Sequence, residues 1–303
     1  MTLTTISKEE FTSFANTVSH RSFIQSAEMA DLLEKRGNTV QFIAWKQEDQ
    51  VQVAAILYSL PMTGGLHMEI NSGPLYQEKA MLEPFYAALK DYAKENGAIE
   101  LVIKPYDTYQ TFDSDGNPTS EEQTHFMDTL KNLGYQHDGL TTGYPGGEPD
   151  WHYVKDMEGI TEKNLLTSFS KKGKPLVKKA KSFGIELKRL NRDELQLFKD
   201  ITSSTSDRRD YQDKTLDYYQ TFYDSFGDNA DFMIATLNFH YYYTNLEKDQ
   251  GKLAQKIEKL QKDLEVNPNS EKKQNQLREF SSQFDTFEVR KKDAKEYIEK
   301  YGD

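Results

Sequence analysis

Residues 41–60 read QFIAWKQEDQVQVAAILYSL. The runs 41–46 and 51–60 are rich in β-branched and aromatic residues, and Gln47-Glu48-Asp49-Gln50 between them is polar. Two β-forming runs joined so closely predict an antiparallel hairpin. Downstream, His67-Met68-Glu69-Ile70 reads as a strand that runs into the turn Asn71-Ser72-Gly73-Pro74-Leu75-Tyr76. Residues 83–96 then carry Phe85, Leu89, Tyr92 and Ala93 at helical spacing, with Pro84 suited to a first turn and Gly97 to a stop. A strand over 99–104 is ended by Pro105, and a helix over 121–133 is stopped by Gly134. Strands interleaved with helices indicate an α/β domain.

A second zone, 151–240, repeats the mixture. The spacing predicts a helix from Thr161, a strand over 184–187, helices over 192–203 and 215–226, and an apolar strand over 232–237. The Gly- and Pro-rich stretch TTGYPGGEP, 141–149, marks the junction with the first zone. In the third zone Leu246, Leu253, Ile257, Leu260 and Leu264 are spaced by 7, 4, 3 and 4. After Asn267-Pro268-Asn269-Ser270, the series Leu277, Phe280, Phe284, Phe287, Lys291, Ala294, Ile298, Tyr301 alternates by 3 and 4. Two heptad helices about a short turn predict an antiparallel coiled-coil hairpin, or equally an ordinary helical hairpin without a partner. The expected division is therefore 1–150, 151–240 and 241–303.

Composition narrows the chemistry. With 303 residues the chain is long enough for one large domain or two ordinary ones. Its 17 Phe and 18 Tyr argue against wholesale disorder. No apolar run approaches the roughly 20 residues of a membrane-spanning helix, and the first residues, MTLTTISKEEF, lack the basic-then-apolar order of a secretory signal. The absence of cysteine removes disulfides, thiolate metal sites and thiol nucleophiles, and is compatible with a reducing cytoplasm. The six histidines fall in no zinc-hydrolase spacing, and no GxSxG, P-loop or GxGxxG is present.

The net charge of −11 argues against a general nucleic-acid coat. Against that background Lys171, Lys172, Lys174, Lys178, Lys179, Lys181, Lys188 and Arg189 place eight cations within nineteen residues. Such an island suits a phosphate-rich ligand, and equally forms a solvated helix face. Gly173 and Pro175 within it predict a loop ahead of the helix. In DRRDYQDKTLDYY, 207–219, Lys214 and Tyr218 stand four apart and share a helical face. A cation beside a phenol grips a phosphate or carboxylate, although tyrosines there also serve ordinary packing. Lys104-Pro105-Tyr106-Asp107 follows a strand end, where α/β folds place ligand groups; Asp107 is a candidate general base there, or a turn cap.

In order along the chain, these segments resemble the FemABX family of aminoacyl-tRNA-dependent peptidyltransferases. The likeness is carried by Ser22-Phe23-Ile24-Gln25-Ser26-Ala27-Glu28-Met29, Asn71-Ser72-Gly73-Pro74, Lys104-Pro105-Tyr106-Asp107 and Leu133-Gly134-Tyr135-Gln136-His137-Asp138-Gly139. It continues in Lys178-Lys179-Ala180-Lys181-Ser182-Phe183-Gly184-Ile185-Glu186, the Tyr218-Tyr219 pair and the heptad hairpin. The resemblance implies an α/β fold of two acetyltransferase-like (GNAT) subdomains, the hairpin inserted in the second. That second subdomain is expected to be truncated after residue 303, and the chain then inactive as it stands.

The implied reaction transfers an amino acid from aminoacyl-tRNA to the lysine amine of a lipid-linked or nucleotide-linked muropeptide, building the interpeptide bridge of peptidoglycan without a cofactor. It also implies substrate binding by Lys35, Tyr106, Lys214, Tyr218 and Tyr219, and tRNA contact by Lys171, Lys172, Lys174, Lys178, Lys179 and Lys181. A cytoplasmic enzyme that can touch the inner membrane face through its lipid substrate and can pair as a homodimer is the corresponding expectation. The alternatives are a GNAT-type acyltransferase using acyl-CoA, for which no Q/RxxGxG/A loop is visible, and a non-enzymatic coiled-coil interaction protein.

Overall fold

The computed structural model describes residues 1–137, 139–140 and 150–302. The expected junction at 141–149, and Asp138 of the Leu133-to-Gly139 motif, lie outside the described residues. In chain order the elements are β1 (Thr2–Thr5), α1 (Lys8–Ala15), α2 (Ala27–Lys35), β2 (Thr39–Gln47), β3 (Gln50–Met62), β4 (Gly65–Asn71), β5 (Leu75–Tyr76), α3 (Leu82–Glu95), β6 (Ala98–Lys104) and α4 (His125–Asn132). There follow α5 (Glu162–Ser168), α6 (Gly173–Ser182), β7 (Ile185–Arg189), α7 (Leu195–Arg209), α8 (Leu216–Phe226), β8 (Met233–Leu237), α9 (Phe239–Val266) and α10 (Glu271–Tyr301). Contacts divide the chain into two units, Met1–His152 with Leu195–Ala230, and Tyr153–Glu194 with Asp231–Asp303.

The first unit is built on the predicted β2–β3 hairpin. Its link is tighter than the four polar residues suggested: Gln47 pairs with Gln50, and Glu48 and Asp49 both take positive φ (49° and 64°), the two-residue turn whose twist matches that of the strands. The sheet order is β1-β2-β3-β4-β6, with β5 also paired to β3. Neighbours are antiparallel except β4 and β6, which run parallel and are connected through α3. Alternation along the strands sends Ile43, Val53, Ala55, Leu57, Met68 and Ile70 to the side of Phe85, Tyr86 and Leu89 of α3. Ala44, Ala54 and Ile56, of opposite parity, are also fully buried, and α1 and α2 pack on β2 and β3 with Phe11, Phe14, Leu32 and Leu33. Burial on both faces is why VAAIL in β3 is continuously apolar instead of alternating.

β3 passes from β4 to β5 along its length, pairing Tyr58 with Glu69 but Ala54 with Leu75. The Gln25 carboxamide fills the gap: the Ile56 N–H donates to Gln25 Oε1 (2.8 Å), and Gln25 Nε2 donates to the Asn71 carbonyl (2.7 Å). One residue on, the Ser26 hydroxyl caps α2 through the Met29 N–H. The helix expected over 121–133 starts only at His125.

Residues 195–230 group with this unit, whereas the sequence placed them in a segment 151–240. The reason lies in α8, which packs on α2. Phe226 meets Phe23 edge-on (6.0 Å between centroids), Lys35 Nζ donates to Ser225 Oγ (3.0 Å), and Asn229 Nδ2 donates to Glu28 Oε1 (3.2 Å).

In the second unit β7 and β8 form a two-stranded antiparallel sheet, Ile185 opposite Leu237 and Arg189 opposite Met233. Nearly all its residues are exposed; Leu187 stands at 71%. The predicted loop at Gly173 and Pro175 is instead the first turn of α6, where proline is tolerated because the N–H it lacks has no helical partner. The Ser170 hydroxyl and carbonyl receive the Gly173 and Lys174 N–H groups (3.0 and 3.1 Å). The helical hairpin α9–α10 buries Leu246, Leu253 and Ala294 and half-buries most of the remaining heptad positions, while Tyr301 is exposed. Between Leu246 and Leu253 the seam position is Gln250, a buried amide that donates to Glu288 (2.5 Å), and Glu288 also pairs with Lys291 (3.2 Å). This polar layer accounts for the lysine in the apolar series.

Candidate functional site

The strand β6 ends at Lys104, and the segment after it is held from several sides. The Gly73 N–H donates to the Lys104 carbonyl (3.2 Å), so the Asn71-Ser72-Gly73-Pro74 turn spends that N–H on the fold. The Tyr76 hydroxyl donates to Asp107 Oδ1. Burial and the Asp107 carboxylate raise the Tyr76 phenol well above its ordinary value, which keeps it a donor. Asp107, half-buried, is therefore tied to β5 and caps no turn. The neighbouring Tyr106 ring is stacked by His20 (5.1 Å, 25°) and touched edge-on by His152 (6.4 Å).

From His20 the chain leads through Phe23 to a row of rings on α8. Phe226 stacks on Phe222 (4.4 Å, 15°), and Phe222 lies 6.3 Å from Tyr218. Two cations flank the Tyr218 ring, Lys214 Nζ and the Arg36 guanidinium, each 5.4 Å from its centroid. The structure thus brings Lys214 to Tyr218, leaves Lys35 two turns along α8 at Ser225, and adds Arg36, which sequence reasoning missed. Its only sequence signal was adjacency to Lys35 at the end of α2. Two cations around a half-buried phenol form a seat for an anionic group, with Tyr218 held by cation–π contact and Thr215 capping the helix beneath it.

Tyr219 turns away from that seat. Its hydroxyl donates to Asp213 Oδ1 (2.8 Å), and Asp213 also accepts from the Lys214 N–H (2.8 Å), Lys199 Nζ (2.6 Å) and the Thr202 hydroxyl (2.8 Å). Burial alone would raise the Asp213 pKa, but these donors outweigh it and hold the carboxyl well below its usual range. Burial and Asp213 push the Tyr219 phenol up to about 12. Asp213 is thus the anchor that fixes the 210–215 loop, and with it Lys214, to α7.

In the second unit Lys171, Lys172, Lys178, Lys179 and Lys181 are exposed and Lys174 half-buried, on α6 and the turn before it. Lys179 Nζ lies over the Phe183 ring (5.9 Å). Lys171, Lys172, Lys174, Lys178 and Lys181 form no ion pair with any described residue, whereas Lys188 and Arg189 are neutralised by Glu194 and Asp231. Among the described residues no group of acidic, histidine or cysteine side chains is arranged to hold a metal ion, and no helix is long and apolar enough to cross a membrane.

The model of the FemAB family matches residues 6–303. The aminoacyltransferase FemB of Staphylococcus epidermidis is 29% identical over 253 residues, covering 82% of this chain and 61% of its own length. The aminoacyltransferase FemA of Staphylococcus aureus is 25% identical over 308 residues, covering 100% of this chain and 73% of its own. The chain thus spans about three fifths of the length of FemB. The crystal structure of FemX superposes on 99% of this chain and 74% of that one with a TM-score of 0.63 at 20% identity, which shows a shared fold.

Proposed function

The chain belongs to the FemAB family, and from that premise we propose that it takes part in aminoacyl transfer to a peptidoglycan precursor: an amino acid esterified to tRNA is passed to the lysine amine of a stem peptide, building an interpeptide bridge. The observation that carries this reading is the seat formed by Arg36, Lys214 and Tyr218, with Lys35 further along α8 at Ser225, whose positive charge suits the phosphates of a lipid-linked or nucleotide-linked acceptor. The exposed lysines of α6, with Lys171 and Lys172, supply a surface for the RNA backbone.

Aminolysis of an ester is a downhill exchange that needs two carriers positioned and the charge of the tetrahedral intermediate steadied. Tyr106 and Asp107, on the segment after β6, are the residues assigned to the reacting amine. Antiparallel strands followed by a parallel strand reached through a helix are what an acetyltransferase-like lobe requires, and the long α9–α10 pair supports a coiled-coil hairpin in the second unit. A lipid-linked acceptor would bring the protein to the inner face of the membrane.

The test supplies the full chain with radiolabelled aminoacyl-tRNA and a lysine-containing lipid-linked precursor. Label on the precursor, lost when Arg36 and Lys214 are both replaced by alanine, is the expected result. Label that appears only when acyl-CoA replaces the tRNA would overturn the reading in favour of an acyl-CoA transferase.

A further inference from the structure

His20 is an exposed histidine 86 residues away from Tyr106 in sequence, yet its Nε2 lies 2.8 Å from the Tyr106 carbonyl oxygen. A carbonyl oxygen accepts only, so Nε2 carries the hydrogen and the neutral ring keeps its lone pair on Nδ1. That nitrogen has no partner among the described residues. The stacking of the imidazole on the Tyr106 ring fixes the plane in which the lone pair points. Other histidines are differently employed: His67 bridges Glu69 and Glu100, and His137 Nδ1 accepts from the Gly139 N–H. Asp107, the next residue along, already has one oxygen bound to the Tyr76 hydroxyl. The remaining titratable or charged groups on the packed segments are Arg21, Lys104, Tyr106 itself and His152 against its edge.

We propose that His20 is a catalytic residue of the transfer reaction, its Nδ1 accepting the proton of the attacking amine. This rests on the aminoacyl-transfer reading above. The neutral amine attacks the ester carbonyl carbon, a C–N bond forms, and the amine proton passes to Nδ1. When the tetrahedral intermediate collapses, the C–O bond of the ester breaks and the same proton moves to the departing ribose oxygen. Ester and amine have become amide and alcohol, and the imidazole is neutral again. Imidazole is the side chain whose proton exchange falls closest to neutral pH, which a general base operating there needs. Asp107 then draws the acceptor in as an ammonium ion, before solvent deprotonates it, instead of acting as the base.

Two measurements decide the matter. The first is the pH profile of transfer by the full chain and by His20→Gln, whose amide still has a donor for the Tyr106 carbonyl but cannot titrate. The expected result is a fall in kcat of about 10²-fold or more, little change in KM, and loss of the acid limb seen in the parent protein. A variant that keeps the parent's rate or its acid limb overturns the assignment while leaving aminoacyl transfer intact. Absence of transfer by the parent at every pH overturns the transfer reading and the assignment with it. The second measurement, independent of activity, is the ¹⁵N spectrum of labelled histidine: a neutral His20 ring protonated at Nε2 supports the role, and one protonated at Nδ1 excludes it.

Discussion

The side-chain amide of Gln25 lies so close to Gly73 that a Cβ on the glycine would fall 2.7 Å from the Gln25 Cδ. The contact exists because Gln25 stands in for a rung of the sheet where β3 changes partner, taking the Ile56 N–H and giving a hydrogen to the Asn71 carbonyl. Replacing Gln25 by methionine, of similar volume, removes both of these buried hydrogen bonds. Gln25→Met is expected to cost about 2–5 kcal/mol in urea unfolding, and Gly73→Ala to destabilise in the same direction by displacing the amide. A Gln25→Met protein within about 1 kcal/mol of the parent would show that the rung is dispensable.

Asp213 is expected to be an acid-sensitive anchor. Its folded pKa lies below its unfolded value, so its contribution is complete above the ordinary carboxylate pKa of about 3.9 and is lost as the pH falls toward the folded value. The stability gap between the parent and Asp213→Asn should be constant from pH 5 to 8 in urea titrations and shrink below about pH 4. A gap that stays level into strong acid would mean the carboxylate charge is not what holds the loop.

His67 carries the opposite sign. Burial by itself would lower its pKa, but hydrogen bonds to Glu100 (2.6 Å) and Glu69 (3.2 Å) outweigh that and raise it above 6.5. The group is therefore more easily protonated when folded, and its stabilisation is full below the unfolded pKa and fades as pH rises through the folded one. Unfolding midpoints of His67→Gln and the parent should differ most near pH 5.5 and converge by pH 9. Convergence at low pH instead would refute the ion-pair account.

At the Tyr218 seat, Arg36→Ala and Lys214→Ala are each expected to weaken binding of a diphosphate-bearing precursor by about 1.5–3 kcal/mol, the range for a hydrogen bond to a charged group. Because both cations share one ring and one ligand, the double variant should lose less than the sum. Calorimetric titration of the four proteins measures this directly, and strict additivity would place the two side chains on separate sites.

Charge reversal at Lys178 and Lys179 should weaken tRNA binding and flatten its salt dependence. Removal of two phosphate contacts lowers the slope of log K against log salt by about 1.4–1.8. Filter binding between low and moderate salt reads the slope; a slope equal to the parent's would take the RNA off α6.

Much of the architecture was legible beforehand, and for a common reason. The β2–β3 hairpin, α3, β6, α8 and the α9–α10 pair all announce themselves through the apolar pattern within each segment, which is a local property of the chain. The lysine run was equally plain. A misreading came where local rules compete, since Gly173 and Pro175 suit a loop and a first helical turn alike; the short α1 and α2 near the N-terminus went unread because they carry too few turns to show a period.

What sequence alone determined, then, is which segments are helix or strand and which stretches are cationic, because backbone preference and amphipathic spacing act between near neighbours. Tertiary structure alone decided that Arg36 joins Lys214 over the Tyr218 ring, that Gln25 bridges Ile56 and Asn71, that Asp213 gathers donors from α7 and α8, and that His20 reaches Tyr106. Each of these pairings depends on which faces the packing of α2 and α8 and the passage of β3 between partners bring together. Burial of apolar surface sets that arrangement without direction, so no spacing along the chain records it.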